Sequence, residues 1–86
     1  MLAIVRRVAM TINPDSEVAP YLQLAGILRG QIESGELAPG ARLPSIIRLS
    51  EDYHVARVTS HKALRVLVDE GLAVVSPGRG MYVRRQ

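Results

Sequence analysis

Segments rich in glycine and proline divide this 86-residue chain into short helical and extended pieces. Three such segments are present: SGELAPG at residues 34–40, Pro44–Ser45, and SPGRG at residues 76–80. Glycine tolerates the left-handed backbone that ends helices, and proline cannot continue a helix or a central strand. The chain is therefore limited to short elements in the order helix, link, helical region and hairpin.

The piece before the first breaker predicts an amphipathic helix of about four turns. Pro20 suits the first position of a helix, and Gly35 suits its end. Apolar residues recur at spacings of three and four, which places them on one face: Tyr21, Leu24, Leu28 and Ile32.

Two further helices are predicted after the link, in which Arg42-Leu43 is an edge strand or extended connection. Ser45 is a suitable N-cap for the short helix IIRLSEDY. Its expected inward residues are Ile46, Leu49 and Tyr53. A turn through His54 then leads to a third helix from about Arg57 to Glu70.

The third helix has one apolar face and one basic face at 100° per residue. Its apolar face consists of Ser60, Ala63, Leu64 and Leu67. Its other face holds Arg57, Val58, His61, Lys62, Arg65 and Asp69. Because Ser60 is a hydroxyl residue among apolar ones, its side chain is expected to bond back to a carbonyl of the preceding turn.

A C-terminal hairpin completes the predicted order. Gly71 ends the third helix, and strands at residues 72–75 and 81–85 flank a Pro-Gly-x-Gly turn with Arg79 at its tip. Three helices plus a C-terminal β-hairpin give an α+β, mainly α fold, and the order is that of a winged helix-turn-helix.

Length and composition predict one small domain at residues 20–86, preceded by a flexible N-terminal extension at residues 1–19. Met10 is an alternative start.

Cysteine is absent, which excludes disulfides and a thiolate zinc site, and no metal or other cofactor is expected. No space remains for a second domain, so no small-molecule effector pocket is expected. The apolar run Leu2–Val5 is far shorter than the roughly 18 residues of a membrane span; a cytoplasmic protein without membrane contact is expected.

The positive charge is concentrated in the C-terminal half. The net charge is +3, and residues 42–86 contain eight basic and four acidic side chains. A polyanionic partner would therefore meet the second and third helices and the hairpin.

Residues 20–85 resemble the DNA-binding domain of the GntR family of bacterial transcription regulators. The resemblance lies in "IESGELAPGARLPS", "RLSEDYHVAR", "KALRVLVDEGL" and "GRGMYV", in that family's order and spacing. It implies that Arg42 lies near the DNA backbone, that Arg57 contacts bases, and that Thr59 holds phosphate. It further implies that Gly78 is the wing glycine, with Arg79 beside it. The remaining DNA-binding candidates, from the cap and the basic face, are Ser45, Val58, His61, Lys62 and Arg65.

The chain departs from the family's pattern at several positions. Ile46 and Ile47 replace a Glu-Arg pair whose arginine commonly contacts DNA, and Ala56 replaces a Ser or Thr cap. Ser60 replaces an apolar residue, and His61 replaces a frequent arginine. An altered set of DNA contacts is therefore expected.

The predicted function is a sequence-specific, double-stranded DNA-binding transcriptional regulator, acting as a repressor. A palindromic operator bound by a homodimer, formed at least on DNA, is the expected complex. The alternative is a winged-helix module for protein–protein interaction or an accessory architectural DNA-binding protein. An enzyme is not expected, because no nucleophile, base and orienting group occur together.

Overall fold

The computed structural model describes residues 11–85 and contains three helices and a two-stranded sheet. The helices are α1 (Pro20–Ser34), α2 (Ile46–Tyr53) and α3 (Arg57–Asp69). The strands are β1 (Ala73–Ser76) and β2 (Gly80–Val83). The predicted order of elements is confirmed.

Helix α1 begins and ends where its sequence predicts. Pro20 occupies the start, and Gly35 ends the helix with a left-handed φ of 88° while its N–H donates to the Ile32 carbonyl at 3.2 Å. Leu24, Ala25 and Leu28 are buried against the rest of the domain.

The segment before α1 is held by one side chain of that helix. The Gln23 amide accepts a hydrogen bond from the Asn13 N–H at 2.8 Å and donates to the Asn13 and Val18 carbonyls. Ile12 packs against the core. Residues 1–10, including Met10 and the run Leu2–Val5, lie outside the described residues, and the division between an extension and a domain at residue 20 stays a prediction.

Helix α2 is capped as expected, and a sharp turn separates it from α3. The Ser45 hydroxyl oxygen accepts a hydrogen bond from the Arg48 N–H at 3.1 Å. His54 has a left-handed φ of 56° and ends the helix. Ala56 precedes α3 and provides no side-chain hydrogen bond, in agreement with its departure from the family's usual cap.

Two side-chain contacts connect α1 with α3 and with the residue that follows it. Near their starts, the Lys62 ammonium lies 5.6 Å from the centre of the Tyr21 ring. Near their ends, the Arg29 guanidinium binds both carboxylate oxygens of Glu70, at 2.9 and 2.8 Å. The buried residues of α1 and α3 also belong to one apolar core.

The expectation for the Ser60 side chain is wrong. The hydroxyl lies 2.8 Å from the hydroxyl of Ser50 on α2, rather than bonding back to a carbonyl of its own helix. The difference arises because α2 packs against the apolar face of α3 and presents a polar group there.

The hairpin is antiparallel, with Ala73 opposite Val83 and Ser76 opposite Gly80. Its turn has Pro77 followed by Gly78 at a φ of 75°, as a type II turn requires. The strands are placed one or two residues differently from the prediction, at residues 73–76 and 80–83.

The link before α2 pairs with the outer edge of β2. Arg42 forms an isolated antiparallel bridge with Tyr82. The Leu43 N–H donates to the Met81 carbonyl, and the Val83 N–H donates to the Ala41 carbonyl, both at 2.8 Å. This pairing fixes the wing against the start of α2 and confirms the predicted extended link.

The core lies between the three helices and the inner side of the hairpin. Its buried apolar residues are Leu24, Ala25, Leu28, Leu43, Leu49, Ala63, Leu64, Leu67, Ala73 and Val83. Ile46 and Tyr53, predicted with Leu49 as the inward residues of α2, are partly buried against this core.

Candidate nucleic-acid interface

The first two turns of α3 form the most exposed part of that helix. Arg57, Val58, His61 and Lys62 are exposed, whereas Thr59 is half-buried. A helix N-terminus carries a partial positive charge from its unpaired N–H groups, which favours a nearby anion. The side chains and the backbone of this region thus favour the same kind of partner.

The arginines of residues 11–85 fall into two groups. Three are ion-paired: Arg29 with Glu70 at 2.8 Å, Arg48 with Asp52 at 3.2 Å, and Arg65 with Asp69 at 3.7 Å. The others form no ion pair with any of these residues: Arg42, Arg57, Arg79, Arg84 and Arg85. All three arginines to which the family resemblance assigned DNA contacts belong to the second group.

Arg65 and Lys62 lie against neighbouring groups on the protein. The ion pair of Arg65 with Asp69 joins two exposed side chains, and such pairs contribute about 0–1 kcal/mol. The exposed Lys62 ammonium lies over the Tyr21 ring. Both contacts are weak enough to be exchanged for a phosphate contact.

Arg42 lies between the wing and the start of α2. Its guanidinium is next to Gly80, with its nearest nitrogen 3.2 Å from the position that a β-carbon there would occupy. It lines one shallow cleft with residues 75–81 and another with Ser45 and Arg48. Arg42 is therefore accessible to a partner that meets either the wing or the start of α2.

Ser45 keeps a donor for a ligand. Its oxygen accepts the capping hydrogen bond from the Arg48 N–H, which leaves the hydroxyl hydrogen free to donate. The side chain is exposed at the start of α2, so capping and a phosphate contact are compatible.

The wing tip presents Gly78 and Arg79 to solvent. The Arg79 N–H donates to the Ser76 carbonyl at 2.9 Å, which closes the turn. Apart from Gly78 and its two chain neighbours, no atom of residues 11–85 lies within 4 Å of the position that a β-carbon at Gly78 would occupy, so a partner can approach the backbone closely there.

Sequence reasoning did not include two of the unpaired cations among its site residues. Arg84 and Arg85 follow β2 and are exposed. The adjacent arginines Arg84-Arg85 are the signal for them in the sequence, but the prediction assigned both only to the second strand.

Residues 11–85 contain neither a candidate metal site nor a candidate membrane span. Those residues contain no group of three or more His, Asp or Glu side chains that could hold a metal ion. None of their helices has the length and apolar character needed to cross a membrane.

Residues 20–83 match the family model described as "Bacterial regulatory proteins, gntR family". The chain belongs to the GntR family. Among curated GntR-family relatives, it is 40% identical to the HTH-type transcriptional repressor NagR of Bacillus subtilis (strain 168) over 76 residues. That match covers 88% of this chain and 31% of NagR. The chain thus spans less than a third of the length of this relative.

Solved GntR-family structures share the fold. YtrA from Sulfolobus acidocaldarius, a GntR-family transcription factor, superimposes with a TM-score of 0.83 at 37% identity, covering 91% of this chain and 82% of YtrA. The AraR DNA-binding domain in complex with operator ORR3 superimposes with a TM-score of 0.75 at 27% identity, covering 83% and 86% of the two chains. These likenesses confirm the winged helix-turn-helix. The named relatives are transcriptional regulators and not enzymes.

Proposed function

We propose that this chain binds a specific double-stranded DNA operator and represses transcription from it. The observation that carries the proposal is Arg57, an exposed arginine at the first position of α3 that forms no ion pair within residues 11–85. Support comes from AraR, whose corresponding domain is solved on an operator, and from NagR, which is a repressor. DNA-binding regulation takes place where the chromosome is, so the proposed location is the cytoplasm.

Each element of the domain has a proposed role on the duplex. The start of α3 enters the major groove, which admits one helix, and Arg57 reads a base edge. Thr59 and Arg42 hold phosphates, and Gly78 with Arg79 engages the flanking groove. Auxiliary contacts come from exposed side chains of the same surface, namely Ser45, Val58, His61, Lys62 and Arg65.

The proposed complex on DNA is a homodimer on a palindromic operator. A single DNA-binding module buries only roughly 600–1,000 Å² of protein surface, which limits its affinity. Two copies related by a two-fold axis double that surface and make the two half-sites symmetric. Sedimentation that shows one chain per operator at saturation would contradict the dimer without affecting DNA recognition.

The operator is obtained by selection from a random duplex library with the purified wild-type protein. Arg57→Ala should then weaken operator binding by roughly tenfold or more, because a bidentate arginine–guanine contact contributes about 1–3 kcal/mol of discrimination. Binding to a scrambled duplex should weaken much less. Affinity is measured by fluorescence anisotropy at one fixed salt concentration.

Arg48→Ala is the matched control for that experiment. It removes the same charge from an exposed side chain that is already paired with Asp52. We expect it to leave the ratio of operator to scrambled binding unchanged. If the ratio of operator affinity to scrambled-duplex affinity falls equally in the two variants, the role of Arg57 is contradicted. If the selection recovers no preferred sequence, the proposed function is contradicted.

A protein-interaction module is the second candidate function, and Ile47 is the observation that favours it. This isoleucine is 52% exposed at the position where the family commonly has a DNA-contacting arginine. An exposed apolar side chain suits a protein surface better than a phosphate. The same selection separates the two functions, because an interaction module would enrich no DNA sequence.

A further inference from the structure

Val58 is an apolar side chain that packing does not explain. It is 60% exposed, the highest value among the large apolar side chains of residues 11–85. At 100° per residue it lies roughly opposite the buried face formed by Ser60, Ala63 and Leu67. The core of the domain therefore gains almost nothing from valine at this position.

Helix stability does not explain Val58 either. A β-branched side chain is restricted in a helix, and valine has a lower helix propensity than alanine. Within residues 57–62, all of which the structure describes, Val58 is the one exposed apolar side chain, since Arg57, His61 and Lys62 are polar. A ligand with a small apolar group among polar ones would match this surface.

The major-groove edge of DNA has this character. Its donors and acceptors are polar, and the C5-methyl of thymine is its distinctive apolar group. We propose that Val58 contacts the C5-methyl of a thymine that neighbours the base read by Arg57. The inference rests on the proposed function and deepens it, because it assigns one specificity-determining contact.

The shape of valine suits such a contact. Its two methyl groups are attached directly to the β-carbon, and its χ1 angle is nearly fixed in a helix. Little rotamer freedom is then lost when DNA binds. A longer, more flexible apolar side chain would lose more entropy for the same contact.

Uracil provides a direct probe because it pairs like thymine and lacks only the methyl group. A set of operator duplexes is synthesised, each with one thymine replaced by uracil, and each is titrated against the wild-type protein. At the contacted thymine, the loss of one buried methyl should weaken wild-type binding roughly three- to fivefold. Thymines elsewhere in the operator serve as internal references.

Val58→Ala should bind the unmodified operator more weakly than wild type does. Replacing the contacted thymine by uracil should not weaken its binding further, and this loss of affinity on replacement by uracil is called the uracil penalty. The variant is expected to fold, because the side chain is exposed and alanine favours the helix. Val74→Ala is the matched control, since it makes the same truncation at an exposed valine of β1. It should retain the wild-type pattern of uracil penalties.

Two results separate failure of this inference from failure of the proposed function. If Val58→Ala shows the same uracil penalties as wild type, or wild type shows none, the thymine contact is overturned while operator binding stands. If wild type binds its selected operator no better than a scrambled duplex, the proposed function is overturned, and the thymine contact with it.

Discussion

The hydroxyl oxygens of Ser50 on α2 and Ser60 on α3 lie 2.8 Å apart. Ser60 is fully buried, so its hydroxyl is withdrawn from water and depends on a protein partner. Ser50 is only half-buried. This hydrogen bond joins the two helices of the helix-turn-helix at the face that orients α3.

Removing Ser50 should cost more stability than the small change in side-chain size suggests. Ser50→Ala leaves the buried Ser60 hydroxyl without this partner, which costs about 1–3 kcal/mol. Ser60→Ala should cost less, because the half-buried Ser50 can turn to water. The double variant should lose less free energy of unfolding than the two single variants lose in sum. Urea unfolding of wild type and the three variants measures these losses. Additive losses would contradict a direct hydrogen bond.

The elements that could be predicted from sequence are those set by local chemistry. Pro20 can start a helix without losing a hydrogen bond, Ser45 can cap one, and Gly78 can adopt the φ that a type II turn requires. Each of these depends on residues within one turn. The exposure of the start of α3 followed from periodicity in the same way.

Features that depend on tertiary packing could not be predicted. The partner of Ser60 is ten residues away on another helix, and Arg29 pairs with Glu70 across 41 residues. The position of Arg42 beside the wing arises from its pairing with Tyr82. Sequence spacing alone does not contain such contacts, because it does not determine which surfaces of the elements meet.

Gly30→Ala should stabilise the domain by about 0.5–1 kcal/mol. Glycine in a helix interior loses more backbone entropy on folding than alanine does, and no atom of residues 11–85 outside the local helix backbone lies within 4 Å of the new β-carbon. For a domain of this size, the melting temperature should rise by roughly 2–8 °C. Gly35→Ala is the control, since its φ of 88° disfavours alanine and should lower the melting temperature. A lower melting temperature for Gly30→Ala would contradict this account.

Tyr53 should make the domain less stable at alkaline pH. Burial raises the pKa of its phenol, although the neighbouring Gln31 side chain acts in the opposite direction. Because the folded pKa is higher than the unfolded value of about 10, the stabilisation is complete below about pH 10 and is lost as pH rises through the folded pKa. The free energy of unfolding of Tyr53→Phe should therefore fall less steeply than that of wild type above about pH 10. If urea unfolding shows that the free energies of unfolding of the two proteins fall in parallel above about pH 10, Tyr53 is not the cause of the alkaline loss of stability.

Ile47→Arg should restore a contact that the family commonly has. The side chain is 52% exposed at the second position of α2, so little packing is lost. An added cation near the start of a helix costs about 0.3–1 kcal/mol of stability, which the domain should tolerate. If the arginine meets a phosphate, the logarithm of affinity should fall more steeply with the logarithm of salt concentration, by about 0.9 in slope.

Ile47→Gln isolates the charge in that comparison, because it adds a polar side chain without a cation. Both variants and wild type are titrated with the selected operator and with a scrambled duplex over a range of salt concentrations. A phosphate contact should raise the affinity of Ile47→Arg for both duplexes, whereas a base contact should raise it for the operator alone. Identical salt slopes for Ile47→Arg and Ile47→Gln would show that position 47 does not face the DNA backbone. If the two variants also bind the operator equally well, position 47 contacts neither the backbone nor a base, and its exposed isoleucine is free to contact another protein.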